Sequence, residues 1–66
     1  MELTVNGKQR DLPGPLTLLE FLEQHNINPV LVAVEHNREI IRRERYAEIA
    51  LQPGDTLEII HMVGGG

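Results

Sequence analysis

Apolar and polar positions alternate from the start of the chain. In "ELTVNGKQRDL", Leu3 and Val5 fall on one face of an extended segment and Glu2 and Thr4 on the other, the period-two pattern of a half-buried strand. Asn6 and Gly7 interrupt it. Both accept the positive φ angles that a type I′ turn requires, so the segment predicts a hairpin. "PGP" at 13–15 then punctuates the chain, and the period changes. In "LTLLEFLEQHN", Leu18, Leu19 and Leu22 recur at helical spacing with Phe21 beside them, while Glu20, Glu23 and Gln24 face water. Thr17 and Glu20 are spaced as a capping box, in which hydroxyl and carboxylate each satisfy an orphan backbone N–H. A helix is therefore expected over about 18–24, ended by Asn26, Asn28 and Pro29.

Further along, "VLVAVEHN" reads as a strand rich in β-branched residues, with Val30, Val32 and Val34 on one face. "EIIRRERYAEIAL" is mixed: a short strand around Ile40 and Ile41, then a single turn near 46–49. "QPGD" at 52–55 is a turn and "TLEIIH" the last strand. With Leu57 and Ile59 pointing inward, alternation turns Glu58, Ile60 and Met62 outward, and Ile60 near Met62 makes an apolar patch. The order of elements predicts one α+β domain over 1–62, a mixed sheet of four to five strands with one main helix packed on one face. The other face is left open to partners.

Composition narrows the chemistry. A chain of 66 residues typically buries only about 60% of its unfolded surface, so the core is small. Cysteine is absent, which removes disulfides, thiolate metal ligands and a thiol nucleophile together, and fits a reducing compartment. The longest apolar run, "VLVAV", is far short of the roughly 20 residues of a membrane-spanning helix. "MELTVNGKQ" lacks the basic-then-apolar pattern of a signal peptide, so a cytoplasmic protein is expected. A net charge of -4 with one Tyr and one Phe argues against nucleic acid as a partner. His25, His36 and His61 lack close metal-ligand spacing and read as surface or edge histidines, with no metal site expected. Arg38, Arg42, Arg43 and Arg45 are read either as a solvated face or as a patch that steers toward an acidic partner. No nucleophile has a neighbouring base, so no catalytic residue is assigned.

The closing "HMVGGG" admits two readings. Three glycines add nothing to a core and resist ordering, as in a frayed end or a remnant of expression. Alternatively, residues 63–66 are a flexible tail whose bare backbone and carboxylate some partner's active site must accept.

The order of these features decides between them. "VNG", the "LTLLEFL" helix, "VAVEHN" leading into an arginine-containing segment, "LQPGDTLEII" and "VGGG" together resemble the ubiquitin-like sulfur carriers of the ThiS/MoaD family, and within it the ThiS branch of thiamine biosynthesis. The likeness spans nearly the whole chain. Gly64 is a departure, because many relatives carry only the final glycine pair. The resemblance implies the β-grasp fold of ubiquitin and a protein co-substrate, not an enzyme. It implies that the Gly66 carboxylate is adenylated by a ThiF-like adenylyltransferase using ATP, then converted to a thiocarboxylate by a persulfide or sulfide donor system. Sulfur would pass to a ThiG-like thiazole synthase for the thiazole ring of thiamine. Gly64 and Gly65 would thread the partner's channel, and Glu58, Ile60 and Met62 would dock it. No cofactor is expected on this chain, and the free carrier is expected to be a monomer. Two alternatives stay open: a carrier for molybdopterin or another pathway, and a ubiquitin-like protein modifier. For the second, the single lysine, Lys8, makes self-linked chains improbable.

Overall fold

In a computed structural model, which describes residues 1–62, β1 (Glu2–Val5) and β2 (Lys8–Asp11) form the expected hairpin. Asn6 and Gly7 join them at φ angles of 50° and 81°, the double positive φ of a type I′ turn. Residues 63–66, on which the expectation of a flexible glycine tail falls, lie outside the described residues.

The helix α1 (Leu18–Gln24) starts where its capping chemistry places it. The Glu20 N–H donates to the Thr17 hydroxyl at 3.1 Å, and the Thr17 N–H donates to the Glu20 carboxylate at 2.8 Å. These two bonds satisfy donors that seven helical residues cannot satisfy among themselves. Leu18, Phe21 and Leu22 are buried and Leu19 partly so. At the far end Asn26 takes a left-handed φ of 57°, a conformation that suits asparagine and halts the helix.

Val30 departs from expectation. Residues Pro29–Leu31 form a 3₁₀ turn, and β3 begins only at Val32 (Val32–His36). Proline at the first position has no N–H to lose there, and the Asn28 side chain caps the turn by accepting from the Val30 N–H at 2.9 Å. Val30 is consequently exposed, whereas Val32 and Val34 enter the core. The segment expected as a turn at 46–49 is likewise a longer 3₁₀ helix, Arg43–Glu48, which follows β4 (Glu39–Ile41). Tyr46 is its one buried residue and joins the core, and this 3₁₀ helix packs against α1.

β5 (Thr56–His61) completes a five-stranded sheet in the order β2-β1-β5-β3-β4. It runs parallel to β1 and antiparallel to β3, and the two outer pairs are antiparallel. Leu3, Val5, Val32, Val34, Leu57 and Ile59 face α1, where each buried aliphatic side chain contributes about 1.5–3 kcal/mol. A mixed sheet grasping a single helix on one face is the β-grasp fold.

Candidate functional site

β5 is the central strand of the sheet and leads in sequence toward the glycines. From Thr56 to Ile60 its residues alternate: Leu57 and Ile59 are buried, while Glu58 and Ile60 point to the face that α1 leaves uncovered, and the alternation ends at the exposed His61. Ile60 lies opposite Ala33 of β3, and Glu58 lies opposite Glu35, which in turn lies opposite Ile40 of β4. Past the strand, the Met62 N–H donates to the Leu31 carbonyl at 2.9 Å, which brings Leu31 alongside. Ile60, Met62, Leu31 and Ile40 are 57%, 52%, 52% and 75% exposed. Of the three residues read from the sequence as a docking surface, Glu58 and Ile60 share the uncovered face of β5, and Met62 is exposed just past the strand. Glu35 and Ile40 share that face by register, and Leu31 lies alongside Met62. Nothing in their own neighbourhoods along the chain signalled this, because their membership depends on which strand lies beside which. Gly64, Gly65 and Gly66 lie outside the described residues.

The other end of β5 is polar. Asp55 is the buried charged residue, and three donors surround it. The His36 imidazole Nε2 lies 2.7 Å from Oδ2, the Gln52 N–H donates to the same oxygen at 2.8 Å, and Asn37 Nδ2 donates to Oδ1 at 3.1 Å. Asn37 also accepts from the Thr56 N–H at 2.9 Å and donates its own N–H to the Thr56 carbonyl at 2.8 Å. Burial alone pushes the Asp55 carboxyl up, but the bonds from His36, Gln52 and Asn37 outweigh it and hold the group below the ordinary aspartate range. Among the described residues no buried side-chain polar atom lacks a hydrogen-bond partner.

His36 is therefore not the ordinary surface or edge histidine expected from the sequence: it is half-buried and clasps the start of β5. His25 stacks on Phe21 with ring centroids 4.3 Å apart, and its Nδ1 lies 2.9 Å from the Phe21 carbonyl. His61 is exposed. Among the described residues no group of three His, Asp or Glu side chains is placed to hold a metal ion. The arginines split up: Arg38 occupies the β3–β4 turn at a positive φ of 71°, and Arg45 lies 3.7 Å from Glu48 on the 3₁₀ helix. No helix among the described residues is long and apolar enough to cross a membrane.

Comparison with known proteins agrees with this geometry. A model described as the ThiS family matches residues 3–66. The sulfur carrier protein ThiS of Bacillus subtilis is 44% identical over 50 residues, which cover 76% of each chain. A thiazole synthase of Paramagnetospirillum magneticum is 38% identical over all 66 residues, and the chain spans only 20% of that protein's length. The crystal structure of the thiamine biosynthesis protein ThiS from Geobacter metallireducens superposes with a TM-score of 0.87 at 35% identity, covering 100% of both chains.

Proposed function

The chain belongs to the ThiS family, and from that membership we propose that it is a sulfur carrier of thiamine biosynthesis whose cargo is held on Gly66. A carboxylate is a poor electrophile. The Gly66 carboxylate would first attack the α-phosphorus of ATP on a ThiF-like activating enzyme, releasing pyrophosphate and leaving an acyl-adenylate. Sulfide attacking the acyl carbon then expels AMP and leaves a thiocarboxylate. With a persulfide donor, the same attack gives an acyl disulfide that a thiol reduces to the thiocarboxylate. This chain has no cysteine, so every sulfur atom in the sequence of steps comes from a partner.

The observation that carries this reading is the accessible apolar face where β5 leads toward the glycines. From Met62 to Gly66 the backbone reaches at most about 14 Å when fully extended. An active site that holds Gly66 must therefore approach within that distance of Met62, and Ile60 and Met62 offer it a surface to cover. Ordering glycine backbone opposes binding by about 1–2 kcal/mol per residue, so contacts made by the folded body have to offset that cost. The thiazole synthases that contain a segment similar to this whole chain support a ThiG-like synthase as the enzyme that receives the sulfur.

The test is intact mass, measured on the protein isolated from cells and again after incubation with a purified activating enzyme, ATP and sulfide. The expected product has one oxygen replaced by sulfur, and loss of Gly66 abolishes it while thermal stability stays unchanged. A covalent conjugate with another protein, or an unchanged mass, overturns the reading.

A further inference from the structure

β1 and β5 run parallel for two residue pairs only, Thr4 with Thr56 and Val5 with Leu57. Along this seam the Thr4 N–H donates to the Asp55 carbonyl at 3.0 Å and the Asn6 N–H donates to the Leu57 carbonyl at 2.9 Å. Ile59 would take its bonds from the next residues of a longer β1, but the chain turns away at Asn6, whose φ is 50°. The Asn6 side chain supplies that rung instead. Its Oδ1 accepts from the Ile59 N–H at 2.7 Å and its Nδ2 donates to the Ile59 carbonyl at 3.2 Å, across 53 residues of sequence.

A carboxamide reproduces the donor and acceptor of a peptide group, so both backbone groups of Ile59 are satisfied as a strand would satisfy them. Asparagine also tolerates the left-handed φ that the hairpin needs. Asn6 therefore performs two tasks at once. The turn requires only that the residue accept positive φ, which Gly does as readily; the rung requires the carboxamide.

We infer that Asn6 is a positioning residue for the carrier's own reaction: its carboxamide keeps β5 in a two-sided ladder up to Ile59 and so sets the direction in which the chain leaves toward Gly66. This rests on the sulfur-carrier reading above. Ile60 and His61 remain paired to Ala33 and Val32 on the β3 side, so the docking face survives loss of the rung. What changes is the freedom of β5 on its β1 side, one residue before Ile60. An acyl carbon delivered about 1 Å off its line of attack loses a large factor in rate, whereas affinity for the folded body is little altered.

The experiment compares Asn6→Gly, which keeps the turn and deletes the rung, with Val5→Ala, which truncates a buried neighbour on β1 and leaves the rung alone. Both are assayed at a temperature where denaturant curves show them fully folded. Asn6→Gly is expected to speed hydrogen exchange at the Ile59 amide and to lower the saturating rate of adenylation about tenfold, with KM within about twofold of the parent. Val5→Ala is expected to lose stability and keep both kinetic constants. An adenylation rate unchanged in Asn6→Gly overturns the inference, as does an equal fall in Val5→Ala, which would make the residue merely structural. If the unmodified protein is not adenylated at all, the carrier reading falls as well, which separates the two failures.

Discussion

Where β5 begins, Asp55 is wrapped by His36, Asn37 and the Gln52 N–H, and Asn37 ties Thr56 into the same cluster. Where it ends, Ile60 and Met62 lie half open to water beside Leu31. One strand thus carries two surfaces with different physics. Directional bonds to a buried carboxylate define one geometry and are costly to leave half made, so the polar end holds the fold. Exposed apolar area has no such directionality and gains only when something covers it, so the other end is suited to reversible contact. The covered face of β5 is common to both, because Leu57 and Ile59 anchor the strand between its two ends.

Substitutions along the strand are expected to break this contrast in graded fashion. The largest loss belongs to the shared anchor: Leu57→Ala, at a fully buried position, should cost about 2–5 kcal/mol in denaturant unfolding, enough to unfold so small a domain. A benign Leu57→Ala would mean that the inward face of β5 is misassigned and would erase the distinction between its ends.

Next comes the polar clasp. Asp55→Ala leaves three donors without their acceptor and should cost about 1–3 kcal/mol. The same carboxylate sets an acid limb. Because its pKa is held below the ordinary range, its contribution is complete above the unfolded aspartate pKa of about 3.9 and is lost as pH falls through the lower folded value. Stability measured from pH 6 downward should therefore fall less steeply in Asp55→Ala than in the parent; equal acid limbs would show that the clasp is not what acid releases.

At the apolar end the effect should move from stability to association. Ile60→Asp places a charge that stays hydrated in the free protein, so unfolding should shift by no more than about 0.5 kcal/mol. Affinity for the activating enzyme should fall about tenfold or more, because an unpaired carboxylate then enters an apolar contact. If Ile60→Asp unfolds the domain, Ile60 is part of the fold and the two ends of β5 do not differ in this way.

The smallest expected effect has the opposite sign. Two hairpin turns place residues at positive φ, Asn6-Gly7 and Asn37-Arg38, and only the first puts glycine second. Arg38 at φ 71° carries the penalty of a side chain in left-handed backbone, of order 1 kcal/mol, so Arg38→Gly should stabilise the protein by about that amount. Calorimetry showing a loss would mean that the guanidinium makes contacts worth more than the strain.

Much of this molecule was legible in short stretches. Asn6-Gly7 specified a hairpin, Thr17 with Glu20 specified where the helix starts, and the alternation of Leu57, Glu58, Ile59 and Ile60 told inside from outside on the last strand. Each rests on residues within a few positions of one another, where φ preferences, caps and side-chain period act directly. Val30 shows where this fails even locally. A β-branched pattern pointed to strand, and the stronger constraints of Pro29 and the Asn28 cap turned the backbone before the strand began.

What the tertiary structure alone decided are the pairings between distant residues. His36 meets Asp55 across 19 positions and Asn6 meets Ile59 across 53, and neither separation has any periodicity that a linear pattern can carry. The same holds for the exposed face of β5. Glu35 and Ile40 share it with Glu58 and Ile60 only because β3 packs between β5 and β4 in the sheet. Local sequence determined which side of each strand is apolar. The order of strands, set by burying those sides together against one helix, determined which apolar residues share a surface and which polar ones find a partner.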